Sequence, residues 1–148
     1  MPGSPPVADD LRVANRIGTG LGRLIRLIKR TAVVPGEDLD RPSFTLLHAL
    51  DCVGPSRVTA LAAAVYSDPS TVSRQAAHLV DLGLVERRAD PGDGRATLLV
   101  ITDAGADLLE RARHRRDERI EAIIGSWLPA ERAQFADLID RFTAGYEA

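Results

Sequence analysis

Apolar residues fall into short periodic runs separated by glycine, proline and serine, and the period changes once. Between Leu11 and Ala32, the positions Ile17, Leu21, Leu24 and Ile28 alternate in steps of four and three, which puts them on one stripe of a helix. Gly18, Gly20 and Gly22 lie inside that helix, where each costs up to ~1 kcal/mol against Ala, so packing against neighbours has to support it. Pro35-Gly36 marks its end. A second helix is expected from about Pro42 to Cys52, with Ser43 near its start and Gly54-Pro55 beyond its end. A short third runs from about Arg57 to Val65, with Val58, Leu61, Ala62 and Val65 on one side.

Tyr66-Ser67-Asp68-Pro69 interrupts that pattern and opens a fourth helix. The Asp68 carboxylate can accept from an exposed amide as N-cap, and Pro69 suits the first helical position. Gly83 is placed to end it. At ~100° per residue, Val72, Ala76, Leu79 and Val80 share one face while Ser70, Arg74, His78 and Asp81 line the other, flanked by Thr71 and Gln75. Then the period shortens. Val85 to Ala89 and Thr97 to Ile101 are β-prone stretches around Asp90-Pro91-Gly92-Asp93-Gly94, which predicts a hairpin. Thr102 caps a long helix from about Asp103 to Ile124, and Pro129 opens a last one to about Tyr146.

Two short helices joined by a tight turn, the second polar on its outer face and followed at once by a hairpin, make a winged helix-turn-helix. The expected fold is mainly α with a small β-hairpin wing, an α+β arrangement. A helix fits the major groove and reads base edges with its N-terminal side chains, where Arg pairs bidentately with guanine. Hydroxyls and helix N-terminal amides suit phosphates, and an Arg on a hairpin tip can enter the minor groove.

Ser67-Asp68-Pro69-Ser70-Thr71-Val72-Ser73-Arg74, then Leu82-Gly83-Leu84-Val85-Glu86-Arg87, then Asp90-Pro91-Gly92-Asp93-Gly94-Arg95 and Leu99-Val100-Ile101-Thr102-Asp103-Ala104-Gly105, resembles the MarR family of bacterial regulators. The resemblance implies that the helix over 69–82 enters the major groove, with DNA contacts from Ser67, Ser70, Thr71, Ser73, Arg74, Gln75 and His78. It implies that Asp93 holds the Arg95 side chain while Arg95 enters the minor groove, and that Arg87 contacts DNA or braces the wing. Gly94 stands where a second Arg is common in the family, which removes one phosphate contact. On this reading residues 1–10 form a flexible tail, 11–35 and 103–148 the dimerisation region, and 40–102 the DNA-binding domain. A homodimer would set its recognition helices about one DNA turn apart over a pseudo-palindromic operator. The resemblance also implies a repressor released by a small aromatic or lipophilic effector, held among the first, second and fifth helices.

Composition adds four constraints. The net charge of −2 speaks against a wholly basic DNA-binder, yet arginines cluster at 23–30, 87–95 and 111–119, so one face can still be basic. Cys52 is the single cysteine, which excludes an intrachain disulfide and agrees with a reducing cytoplasm. With His48 four residues earlier it leaves a redox-sensing regulator as one alternative, against the plainer expectation of a small buried side chain. A winged-helix module that binds proteins instead of DNA is another, and it would carry an acidic or apolar outer face. No apolar run approaches the ~20 residues that span a bilayer, the proline-rich start has no leader-like apolar core, and no membrane partner is expected. His48, His78 and His114 are too scattered for a metal site, and no nucleophile elbow or phosphate loop is present, so neither cofactor nor catalysis is expected.

Overall fold

The computed structural model describes residues 8–31 and 39–147. In chain order these form α1 (Ala8–Thr31), α2 (Arg41–Val53), α3 (Val58–Ala64), α4 (Pro69–Asp81), β1 (Val85–Asp90), β2 (Asp93–Ile101), α5 (Asp103–Ile124) and α6 (Pro129–Glu147). The first helix starts earlier than its apolar stripe suggests. Asp9 and Asp10 occupy its first turn, where carboxylates complement the positive end of the helix dipole, so residues 8–10 of the expected tail are helical. Residues 1–7, and the expected stop at Pro35-Gly36, lie outside the described residues.

One core holds the middle of the chain together. Leu46, Leu47 and Leu50 of α2, Leu61 and Ala62 of α3, and Val72, Ala76 and Leu79 of α4 meet Leu84, Val85, Leu99, Leu108 and Leu109. The ends of α2 and the close of α4 have local chemical causes. The Asp40 carboxylate accepts from the Ser43 amide at 2.7 Å to cap α2, and Gly54 closes that helix at φ 78°. Gly83, at φ 71°, ends α4: its N–H reaches the Val80 carbonyl at 2.9 Å, and the Leu84 N–H reaches the Leu79 carbonyl at 2.9 Å. This paired closure needs a left-handed residue, which glycine supplies without strain.

The sheet is a single antiparallel pair, in register from Val85↔Ile101 to Ala89↔Thr97. Beyond Ala89 the register slips, so that Asp90 faces Asp93 across Pro91-Gly92. β2 therefore begins at Asp93, which takes Asp93 and Gly94 of the expected turn, and Arg95 and Ala96 beyond it, into the strand. The Asp90 side chain accepts from the Gly92 amide at 2.9 Å, and that local bond tightens the reversal to two residues. Thr102 then caps α5, accepting from the Gly105 amide at 3.2 Å, while its own hydroxyl donates to the Gly83 carbonyl at 2.7 Å.

The terminal helices contribute little to this core. From Asp9 to Arg30 no α1 side chain is buried, and from Pro129 to Tyr146 only Arg132 is even half-buried. Ile17, Leu24 and Ile28 of α1 and Phe135, Leu138, Ile139 and Phe142 of α6 are large apolar side chains left exposed at helical spacing. No helix of the described residues is long and apolar enough to cross a membrane.

Candidate nucleic-acid interface

Helix α4 separates its residues by face. Val72, Ala76 and Leu79 are buried, which turns Ser70, Ser73, Arg74 and His78 outward and leaves Thr71 and Gln75 half-buried at the edges. The helix start is built by Asp68, whose carboxylate accepts from the Thr71 amide at 2.9 Å and from the Ser70 hydroxyl. Hydrogen bonds from Ser70 and Thr71 hold this carboxyl well below the usual carboxylate range. Asp68 thus stays ionised at the amino end of the helix, and it occupies Ser70 in the free protein. Ser67 is half-buried and fastened by its backbone, with its N–H on the Ala62 carbonyl at 3.0 Å.

Arg74 is exposed, and among the described residues its side chain makes one bond, from Nη2 to the Thr71 hydroxyl at 3.4 Å. Among the described residues no carboxylate neutralises it. An Arg without a counter-ion, on the outer face of a helix whose inner face is locked in a core, is free to pair with an external acceptor. The row carries one negative member, Asp81, at its far end.

The wing differs from expectation at one point. Asp93 does not hold the Arg95 side chain: its Oδ1 accepts from the Arg95 backbone N–H at 3.2 Å, and its Oδ2 faces the Arg57 guanidinium at 3.4 Å. Arg57 reaches Asp90 more closely, with Nε and Nη2 at 2.8 and 2.6 Å from the same oxygen. The side-chain bond to Asp90 raises the Arg57 pKa further, and the Gly92 amide followed by Arg57 lowers that of Asp90. Arg57 thus takes the carboxylate that the resemblance gave to Arg95. The Arg95 guanidinium is exposed and unpaired among the described residues, as is that of Arg87 on β1. The neighbouring Arg88 pairs with Glu86.

Two features escaped the sequence reading. Arg57 lies 33 residues before Asp90, and nothing local marks the pair. Asp51 of α2 binds Arg113 of α5 at 2.5 Å across a gap of 62 residues. Cys52, whose plainer expectation was burial, is exposed. It follows buried Leu50 by two positions, or ~200° of helix, and so falls on the outer face. Its Sγ lies 3.7 Å from His48 Nδ1. Trp127 packs edge-on against Phe135 at 5.4 Å, and Tyr146 tilts against Phe142 at 5.3 Å.

Residues 37–96 match the model of the MarR family. An HTH-type transcriptional regulator of Bacillus subtilis, YxaD, is 40% identical over 109 residues, 74% of this chain and 76% of that protein. The transcriptional regulator HosA of Escherichia coli is 30% identical over 103 residues, 69% of this chain and 76% of that one. Among solved structures, a transcriptional regulator of Thermotoga maritima has a TM-score of 0.73 at 25% identity, over 92% of this chain and 95% of that one. Wild-type MarR of E. coli is similar in fold, with a TM-score of 0.66 at 22% identity over 82% of this chain and 95% of that one.

Proposed function

This chain belongs to the MarR family of transcriptional regulators, and from that premise we propose that it is a cytoplasmic homodimer that binds a pseudo-palindromic DNA operator and represses transcription. The observation that carries the reading is the unneutralised Arg74 on the outer face of α4, on a chain whose wing carries an equally unpaired Arg95. Arg74, Ser70, Thr71, Ser73, Gln75 and His78 face the major groove in this proposal. Arg95 enters the minor groove, Ser67 and Arg87 take phosphates, and Asp93 acts by shaping the hairpin tip. A protein-binding module would be served by an apolar or acidic face, which α4 lacks.

The dimer is supported by the apolar stripes of α1 and α6, which the chain itself leaves uncovered. A two-fold pairing buries the same stripe on both copies and holds two recognition helices on one face of a duplex, about 34–36 Å apart. A small aromatic or lipophilic effector that changes this spacing would release the operator.

The test is selection of duplexes from a random-sequence pool, with sedimentation of the same preparation. Inverted repeats with half-sites about 10 bp apart, bound by a dimer at micromolar protein, are the expected result. A monomer, or no enrichment of any repeat, would overturn the proposal. The 3.7 Å approach of Cys52 to His48, with both residues exposed, favours one second reading, peroxide-sensitive DNA release through Cys52. Release by peroxide that Cys52→Ser abolishes would establish it, and identical behaviour of the two proteins would remove it.

A further inference from the structure

The two residues just before α3 hold the wing at two separate points. Ser56 pairs by backbone with Leu99 in the body of β2, its N–H on the Leu99 carbonyl at 3.1 Å and its carbonyl on the Leu99 N–H at 2.8 Å. Arg57 holds the tip, through Asp90 on one side of the reversal and Asp93 on the other. One attachment lets a hairpin pivot, whereas two fix its direction. Since α3 packs against α4 through Leu61 and Ala62, both attachments refer the wing to the helix that carries Arg74.

The clamp has little to do with stability. The Arg57 and Asp93 side chains are 45% and 47% exposed; Asp90 is 15% exposed, but with the Arg57 end in water the pair adds only about 1 kcal/mol to folding. What the clamp does supply is geometry at a specific place. The Asp93 that Arg57 faces with one oxygen is the residue whose other oxygen receives the Arg95 N–H, so the clamp sits one carboxylate away from the Arg95 backbone.

We propose that Arg57 is a positioning residue for DNA recognition, which by clamping Asp90 and Asp93 at the hairpin tip sets where Arg95 meets the minor groove. It acts without itself touching DNA, because its guanidinium is turned onto the carboxylates. The proposal rests on the DNA-binding reading of α4 and the wing.

The sign of one substitution separates positioning from electrostatics. Asp90→Asn removes a negative charge from a surface that meets a polyanion and keeps an oxygen for the Gly92 amide. Charge alone makes that variant bind more tightly, whereas loss of the clamp makes it bind more weakly. The probe is a labelled duplex selected by the wild-type protein, so that failure to select any duplex would refute the DNA-binding reading rather than this one. Expected are a loss of about tenfold for Arg57→Ala, a smaller loss for Asp90→Asn, and a double variant no weaker than Arg57→Ala alone. Arg57→Lys recovers part of the loss, and Arg95→Ala costs much less in the Arg57→Ala background than in the wild type. Melting temperatures of the Arg57 variants stay within about 3 °C of the wild type. Asp90→Asn binding as well as or better than wild type, additive losses for Arg57→Ala and Arg95→Ala, or a large fall in melting temperature would each overturn the assignment.

Discussion

Gly105→Ala adds one methyl group to the first turn of α5, in a direction already filled. A Cβ there would lie 2.3 Å from the Leu84 carbonyl oxygen and 2.8 Å from Ile101 Cγ1. Neither neighbour yields freely. The Leu84 oxygen belongs to backbone and receives the Thr102 N–H at 3.1 Å, and Ile101 is packed against the core beside it. Clearing the methyl therefore means pushing α5 away from the Gly83–Leu84 turn, which strains the Thr102 bonds to both residues. Overpacking of this kind costs about 1–3 kcal/mol, and weakening a hydrogen bond adds about 1. Against this, Ala gains about 0.5–1 kcal/mol over Gly inside a helix. The net is a loss of about 1–3.5 kcal/mol, or a melting temperature about 3–12 °C lower for a chain of this size. Thermal and urea denaturation at one fixed protein concentration would measure it, since a dimer's midpoint varies with concentration. A variant melting within about 2 °C of the wild type would refute the packing argument.

Arg74→Ala should weaken binding to the selected operator by about 1–3 kcal/mol if it reads a base edge, and a fluorescence titration across several operator variants should show relaxed preference at that base pair. Unchanged affinity and preference would remove Arg74 from the interface. Tyr66 sits at φ 53° in the turn before α4 and is 98% exposed, so its side chain offers no packing to offset left-handed strain of about 1–2 kcal/mol. Tyr66→Gly should leave the melting temperature unchanged or raise it, and a clear fall would show that the conformation is not strained. For Asp68 the folded carboxyl titrates below its unfolded value of about 3.9, so its contribution is complete above that pH and disappears as the pH falls through the folded pKa. Asp68→Asn keeps a capping oxygen but cannot titrate, so between about pH 5 and 2 its stability should fall less steeply than that of the wild type. Parallel acid-denaturation curves would contradict this.

Most of the fold is legible because its causes are local. A cap, a stripe and a glycine lie within one or two helical turns of one another, so Asp68-Pro69, the Val72–Ala76–Leu79 face and Gly83 define α4 at both ends and on both sides. Thr102 marks α5 in the same way. The reading slips where two local preferences compete. Asp93 to Ala96 have the composition of a loop, yet pairing between Asp90 and Asp93 tightens the reversal and draws them into β2. At the start of α1, the acidic first turn extends the helix beyond what the apolar stripe indicates.

The candidate site divides along the same line. Residues that face outward along α4 follow from helical spacing, because burial of one side dictates exposure of the other. The partner of Asp93 does not follow, because the choice between Arg95 and Arg57 is made by where the chain passes in space. Arg95 is two residues on and on the same face of the strand, yet it is its backbone N–H, not its guanidinium, that comes to the Asp93 oxygen. Arg57 arrives from the start of α3 with its fork already aimed at Asp90. A sequence pattern that reads the Asp and Arg of the wing as a side-chain pair therefore assigns the wrong bond. The difference bears on the proposed function: among the described residues the exposed Arg95 guanidinium has no carboxylate partner, and Asp90 and Asp93 lie instead beside Arg57 at the start of α3.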